Sequence, residues 1–306
     1  MKHLVIESHH YNYLLNNFEE WLQISGYHQM SVINSTSNTR EFFYWLEQHH
    51  IKNITAVTGY DVEQYYKHIK YRSNQKKYGA LSLRSLNGHI NSLRRLKTYL
   101  KNSAKHILSV PLQFETIITE APEILTIEEV KALYKATENY EPRSEKEEAI
   151  GARDRAMLTL FYGCGLRRNE GVHVDTSDIN FDKGHIHVRK GKRRKERFVP
   201  LTDNSLNYLK EYIYGERQKL IKDNRVSALL LSIREQRIYG QSLLLRLRIL
   251  QERCDSVELR EKQIGLHLLR HSIATHLLHS GMSLEEVSQF LGHDSLESTQ
   301  IYTRVE

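Results

Sequence analysis

Five short segments in the second half of the chain bring together guanidinium, ammonium, imidazole and phenol groups, which bind anions or move protons. In chain order, these segments contain Arg167 with Glu170, Lys192, His267 with Arg270, His293, and Tyr302. Each segment alone has an ordinary structural explanation. Their order and spacing therefore carry more information than any single residue.

The first segment, YGCGLRRNE over 162–170, places Arg167 shortly after two glycines. Glycine lets the backbone turn sharply. We therefore expect Arg167 to project from a rigid corner, with Glu170 one helical turn further on as an orienting partner. The alternative is a helix C-cap followed by a surface ion pair.

The second segment, GKRRKER over 191–197, is a basic turn between two predicted strands. Lys192, Arg193, Arg194 and Lys195 follow one another without an acidic residue. Like charges at this density are costly unless an anion compensates them. An edge loop that only aids solubility is the alternative.

The third segment places two histidines and an arginine on one predicted helix. His267 and Arg270 are three residues apart and share a face, and His271 follows His267 by four residues, which is a spacing found in zinc sites. The zinc-binding HExxH helix needs glutamate directly after its first histidine, and here that residue is Leu268. We therefore predict no metal site, and a core histidine beside a surface arginine remains the alternative.

The last two segments lie near the end of the sequence. Ser283 and Glu286 predict a capping box at the start of a helix that Gly292 ends. His293 is then the first polar side chain beyond this helix. Tyr302 is one of 18 tyrosines, so it stands out only by its place after the other four segments.

In this order, the motifs resemble those of the tyrosine recombinases of the phage integrase family, and the length and domain order resemble its Xer-type members. Gly-Leu precedes the first arginine and Leu-Gly precedes the last histidine. The similarity is closest over 153–170, 191–201 and 267–302. It is strong over 120–306 and less specific in the first half.

The resemblance implies an enzyme that cuts and rejoins DNA strands. The family's tyrosine, here Tyr302, attacks a phosphodiester, which leaves a 3′-phosphotyrosyl link and a free 5′-hydroxyl. The implied partners are Arg167 and Arg270 on the phosphate, His267 as proton acceptor, Lys192 as proton donor, His293 on a phosphate oxygen and Glu170 in support. Fixed guanidiniums then replace the metal ions of other phosphoryl-transfer sites. No metal, nucleotide or other cofactor is expected.

The elements that must position these residues are predicted to be mostly α-helical, with a small antiparallel β-sheet in the C-terminal domain. Residues 1–108 are assigned to a helical, SAM-like core-binding domain that binds DNA, 109–122 to a linker and 123–306 to the catalytic domain. A hairpin is predicted over 179–188 and a further strand over 197–200. From residue 204 to near the end, the pattern is helical.

The strongest helical pattern in the first half, over 82–101, lies in a basic stretch. Residues 60–105 contain 11 basic and 2 acidic side chains, a net charge of +9 against +7 for the whole chain. We therefore predict contact with DNA phosphates, although a solvated helix face is the alternative. The predicted DNA-binding residues are Arg84, Asn91, Arg94, Arg95, Lys97, Arg193, Arg194 and Lys195.

Composition excludes several other classes of protein. No apolar run approaches the ~20 residues that a membrane span needs, and two cysteines cannot form a disulfide framework. We expect a cytoplasmic, nucleoid-associated prokaryotic protein without a signal peptide. Its expected partners are double-stranded DNA with an inverted-repeat recombination site and further copies of itself, as a dimer or tetramer, with no membrane and no nucleotide.

Two alternatives remain within the resemblance: a catalytically inactive, sequence-specific DNA-binding protein of the same fold, and a type IB topoisomerase. A zinc hydrolase is a more distant one. Only residues 303–306 follow Tyr302, whereas the family usually has a further helix there that packs on a neighbouring protomer. The way in which protomers couple is therefore left open.

Overall fold

The computed structural model describes residues 4–73, 79–103, 106–117, 123–138, 144–189, 196–221, 226–293 and 299. The chain divides into two compact units, Met1–Ile118 and Thr119–Glu306. Each unit has a hydrophobic core of its own. Within the described residues, no helix has the length and apolar character to cross a bilayer.

The described part of the first unit is built from four α-helices. They are α1 (His9–Ile24), α2 (Gln29–Gln48), α3 (Gly59–Tyr71) and α4 (Leu83–Asn102). A side chain at each N-cap accepts a hydrogen bond from the first turn: Ser8, His28, Thr58 and Ser82. These caps satisfy backbone donors that a helix start leaves unpaired, so the local sequence fixes where each helix begins.

The apolar stripe of α4 forms part of the first core. Leu86, Ile90, Leu93, Leu96 and Leu100 are all buried. Leu83 continues the same apolar spacing, but it is 41% exposed because it is the first residue of the helix.

Residues 106–117 pack on the first unit. Leu108 and Leu112 are buried in its core. The carboxylate of Glu115 accepts hydrogen bonds from the Tyr66 hydroxyl (2.5 Å) and the Lys70 ammonium (2.7 Å). The chain is thus held against α3 and α4 up to the last described residue before the second unit.

The second unit contains further helices and a three-stranded sheet. The helices are α5 (Ile127–Lys135), α6 (Glu145–Leu158), α7 (Arg168–Val172), α8 (Asp203–Lys210), α9 (Arg217–Lys219), α10 (Gly240–Glu252), α11 (Val257–Glu261), α12 (Leu266–His279) and α13 (Leu284–Leu291). The strands are β1 (Ile179–Asn180), β2 (His185–Val188) and β3 (Arg197–Pro200). The mostly helical fold class with a small sheet is confirmed.

The sheet is antiparallel in the order β1-β2-β3, as the hairpin and the following strand predicted. Ile186 of β2 pairs with Ile179 on one side and with Val199 on the other. All three side chains are buried, so this register turns one apolar face of the sheet toward the core.

The predicted helical pattern after residue 204 is wrong over 226–239. The apolar run Leu229–Leu231 is buried there outside any helix, and Leu229 N–H donates to the Val174 carbonyl (2.9 Å). A short apolar run fits a buried strand as well as a helix. Here the hydrogen bond to a distant segment of backbone, at Val174, excludes the helix.

Replacement of Leu96 by Ala should lower the free energy of unfolding by about 2–5 kcal/mol, because it leaves a cavity in the first core. The measurement is chemical unfolding of the full chain, followed by circular dichroism. The neighbouring exposed Lys97→Ala variant is the control, with an expected change within about 0.5 kcal/mol. Equal losses in both variants would contradict the assigned face of α4.

Candidate functional site

The corner that carries Arg167 is built by an irregular helix end. Helix α6 continues as a π-helical turn over Thr159–Gly163, and Leu166 N–H then donates to the Leu160 carbonyl (3.0 Å). Gly165 has φ +57°, and a Cβ at this position would lie 2.8 Å from Leu291 Cδ2. Only glycine fits both the conformation and the space. The sharp turn predicted before Arg167 is therefore present at Gly165.

Glu170 joins two arginines through its carboxylate. Oε1 accepts from Arg167 Nη1 (2.8 Å), and Oε2 accepts from the Arg167 backbone N–H (3.0 Å) and from Arg197 Nη2 (3.0 Å). Arg270 Nη1 lies 3.9 Å from the same oxygen. Glu170 thus orients Arg167 as expected, and it also binds a second cation.

The protonation state of Glu170 follows from these contacts. Burial of its side chain, which is 10% exposed, acts to raise the pKa. The hydrogen bonds and charges of Arg197, and then of Arg167, outweigh burial and lower the pKa to about 2. The carboxylate is therefore ionised at any physiological pH.

The three arginines also converge on the C-terminal end of α13. Arg197 Nε donates to the Phe290 carbonyl (3.0 Å), Arg270 Nη2 to the Leu291 carbonyl (2.8 Å) and Arg167 Nη2 to the Gly292 carbonyl (2.7 Å). The last carbonyls of a helix have no partner within the helix and carry partial negative charge. A guanidinium group donates hydrogen bonds to these carbonyls and also compensates their negative charge.

Arg270 is the most deeply buried of the three, at 3% exposed. Its second contact is from Nη1 to the Gly165 carbonyl (2.6 Å). It thereby connects α12 to the corner before Arg167 and to the end of α13. The plane of its guanidinium is fixed by contacts with backbone.

His267 and His293 occupy different environments. His267 lies on the first turn of α12 and is exposed. The pKa of His267 is lowered by desolvation and then by the charges of Arg270, Arg168 and Arg167. His293 is half-buried, and its Nδ1 lies 2.7 Å from Thr299 Oγ1.

The pKa of His293 is lowered to about 4, first by burial and then by the charges of Arg270, Arg167 and Arg197. The direction of the shift means that both imidazoles are neutral near pH 7. A neutral imidazole can accept a proton or a hydrogen bond, which a protonated one cannot.

The zinc alternative finds no support in the described residues. His271 lies on α12 with His267 and Arg270. Burial, followed by the charges of His267 and Arg270, lowers the pKa of His271 to about 4. Among the residues that the structure describes, no group of three or more His, Cys, Asp or Glu side chains is arranged to hold a metal ion.

Several predicted site residues lie outside the described residues: Lys192, Arg193, Arg194, Lys195 and Tyr302. The described chain brings together Arg167, Glu170, Arg270 and His293 around the end of α13. Lys192 belongs in sequence to the connection between β2 and β3, and Tyr302 follows Thr299 by three residues.

Arg197 was not singled out from the sequence. It begins β3, where alternate residues share a face, and it lies on the same side as the buried Val199, whereas Phe198 between them is 60% exposed. An arginine on the buried face of a strand needs a partner. That pattern could have identified it.

The predicted DNA-binding residues of the first unit lie on α4. Arg84, Asn91, Arg94 and Lys97 are exposed and Arg95 is half-buried. Arg94 donates to the Leu112 carbonyl (2.9 Å) and stacks over Phe114.

Arg95 has similar support within the first unit. It donates to Ser35 Oγ (2.7 Å) and stacks over Tyr27. Arg94 and Arg95 are therefore held in defined orientations, as cation–π contacts and hydrogen bonds restrict long side chains.

The fold of this chain is similar to that of solved site-specific recombinases. A solved structure of the XerH site-specific recombinase, bound to its difH substrate in a pre-cleavage complex, superposes with a TM-score of 0.70 at 21% identity. The match covers 90% of this chain and 76% of that one. At this level of identity, the likeness establishes the fold.

Sequence comparison establishes the family. Residues 123–306 match the phage integrase family, and this chain belongs to it. Tyrosine recombinase XerC 2 of Ralstonia nicotianae is 32% identical over 313 residues, with 100% of this chain and 84% of the relative covered. Tyrosine recombinase XerC of Anoxybacillus flavithermus is 30% identical over 297 residues, with 96% and 93% covered.

Replacement of Glu170 by Gln should lower the free energy of unfolding at pH 7 by an amount on the order of 3 kcal/mol. A carboxyl whose pKa falls from 4.5 to about 2 on folding stabilises the protein above pH 4.5 and loses that contribution as the pH falls toward 2. The difference between wild type and variant should therefore shrink across that interval.

Urea unfolding at several pH values measures this difference, and the exposed Glu252→Gln variant is the control. A gap for Glu170→Gln that stays constant from pH 7 to pH 3 would contradict the assigned pKa.

Proposed function

We propose that this protein is a site-specific tyrosine recombinase that cuts and rejoins DNA through a 3′-phosphotyrosyl intermediate, with Tyr302 as the nucleophile. One observation carries the proposal: three guanidiniums surround one ionised carboxylate at the end of α13. This cluster has a net charge of +2 in a largely buried place. A phosphodiester is an anion that would compensate it.

The chemistry needs such a cluster at the phosphorus. Attack on a phosphodiester accumulates negative charge on the non-bridging oxygens, and guanidiniums bind such oxygens in a fixed geometry without losing their proton. The carbonyl contacts of Arg167 and Arg270 hold both groups in place before DNA arrives. Charge that is already oriented costs no reorganisation during the reaction.

Proton transfer is assigned to the remaining residues. The phenol of Tyr302 has an ordinary pKa near 10 and must lose its proton as it attacks, and neutral His267 accepts it. Lys192 donates a proton to the departing 5′-oxygen. His293 donates a hydrogen bond to a phosphate oxygen. The phosphotyrosyl ester conserves the energy of the broken phosphodiester bond, so rejoining the strands needs no nucleotide.

The proposed substrate is double-stranded DNA with an inverted-repeat recombination site, bound by a dimer or tetramer of this chain. Residues 1–108 act as the core-binding domain, 109–122 as the linker and 123–306 as the catalytic domain. The further proposed DNA contacts are Arg84, Asn91, Arg94, Arg95, Lys97, Arg193, Arg194 and Lys195. The reaction then takes place on DNA in a prokaryotic cytoplasm, in association with the nucleoid.

Support for a DNA substrate comes from charge and from a relative. The stretch 60–105 carries a net charge of +9, and the similar XerH structure is a complex with its DNA substrate. Lys and Arg contacts with phosphates supply most of the affinity that does not depend on sequence. Inverted half-sites suit a two-fold symmetric pair of protomers.

Replacement of Tyr302 by Phe should abolish covalent protein–DNA adducts and leave DNA binding intact, because only the hydroxyl nucleophile is lost. The assay uses a nicked suicide duplex, carrying a binding site selected from random-sequence DNA, in excess EDTA. Denaturing gels detect the adduct and gel shifts measure binding. If the variant still forms adducts, Tyr302 is not the nucleophile. If the wild-type protein forms no adduct, the alternative of an inactive DNA-binding protein is favoured.

Replacement of Arg167 or Arg270 by Ala should slow adduct formation by about 10²-fold or more, as expected for a lost preorganised charge donor. Arg94→Ala is the comparison variant. It should mainly weaken binding and flatten the dependence of affinity on salt. Single-turnover cleavage at saturating protein separates the two effects. If all three variants lose only affinity, the assignment of the phosphate site is wrong.

A further inference from the structure

Arg197 is a largely buried member of the arginine cluster that takes no step in the proposed reaction. Its side chain is 11% exposed and begins the strand β3. Nη2 donates to Glu170 Oε2 (3.0 Å) and Nε donates to the Phe290 carbonyl (3.0 Å). One planar group thereby connects the sheet, the carboxylate beside Arg167 and the end of α13.

Glu170 shows why this connection affects Arg167. Its Oε2 accepts from both Arg197 and the Arg167 backbone, and its Oε1 accepts from the Arg167 guanidinium. With Arg197 present, the negative charge of Glu170 is shared between cations. Without it, Arg167 would hold a larger share of the carboxylate, and the net charge of the cluster would fall from +2 to +1. The site would then stabilise less strongly the negative charge that develops on the phosphate during attack.

The turn that leads to His293 is shaped around the same side chain. Gly292 is left-handed, with φ +64°, and a Cβ on it would lie 2.8 Å from Arg197 Nη1 and 2.9 Å from Arg197 Cδ. The guanidinium therefore occupies the space that a side chain at 292 would need. Because His293 is the next residue, the position of Arg197 constrains the backbone from which the His293 side chain extends.

We propose that Arg197 is a positioning residue for strand cleavage, which shares Glu170 with Arg167 and holds the end of α13 so that Arg167, Arg270 and His293 face one phosphate. This inference rests on the proposed recombinase function. In this proposal, Arg197 acts on the phosphate only indirectly. Its effect is transmitted through Glu170 and through the Phe290 carbonyl.

The test compares Arg197→Ala and Arg197→Lys with Arg189→Ala. Arg189 is a matched control because it follows the neighbouring strand β2 and pairs with Asp175 and Asp178, which contact none of the three clustered arginines. Single-turnover adduct formation is measured at saturating protein on the nicked suicide duplex. Affinity for the intact duplex and thermal unfolding are measured separately.

Arg197→Ala should slow adduct formation about 10- to 100-fold while the affinity for intact duplex changes less than about 3-fold. Arg197→Lys should recover part of the rate, because it restores the charge but cannot span both acceptors. Arg189→Ala should cleave at the wild-type rate. Should Arg197→Ala fail to fold, Arg197→Lys decides alone, and a wild-type rate for it would overturn the proposal.

A double-mutant cycle separates positioning from general structural support. If Arg197 acts through Glu170, Arg197→Ala should slow cleavage far less in the Glu170→Gln background than in wild type. Equal effects in both backgrounds would contradict the proposed route.

The titration of His293 provides a readout that does not require cleavage. Burial, Arg270 and Arg167 are the larger causes of its low pKa of about 4, and Arg197 is a smaller one. The pKa should therefore rise only in part in Arg197→Ala, because one nearby cation is lost, and should stay low in Arg197→Lys. Histidine NMR resonances report both values. If wild type forms no adduct, the proposed function fails, but an unchanged His293 titration in Arg197→Ala would separately overturn the positioning role.

Discussion

The second unit depends on one interaction: the C-terminal carbonyls of α13 accept hydrogen bonds from three arginines that also surround Glu170. Three cations in such proximity would repel one another strongly in a buried place. The helix end and the carboxylate offset part of that repulsion and fix the guanidinium planes. What remains is a positive site that is rigid before any substrate binds.

Local features of this arrangement were predictable from the sequence. The capping box at Ser283–Glu286 forms as expected, and so does the helix end at Gly292. These features depend on residues within one helical turn, so the sequence encodes them directly. The hairpin of β1 and β2 was predictable for the same reason.

The convergence of the arginines was not predictable from spacing. Arg167 reaches carbonyls 124 and 125 residues away, and Arg270 reaches one 105 residues away. Family resemblance indicated that Arg167 and Arg270 belong together, but it gave no reason to include Arg197. The helical prediction for residues 226–239 was wrong for a related reason. It rested on the local sequence pattern, whereas a hydrogen bond to a distant segment of backbone determined the conformation of the apolar run.

The hydrogen bond between His293 and Thr299 limits how far the end of the chain can reach. Tyr302 follows His293 by nine positions, a stretch that would span about 30 Å when fully extended. Thr299 Oγ1 lies 2.7 Å from the His293 ring, and Tyr302 follows Thr299 by three positions, a backbone reach of about 10 Å. Because Thr299 is also buried, its position shortens the backbone that is free to place the proposed nucleophile about threefold.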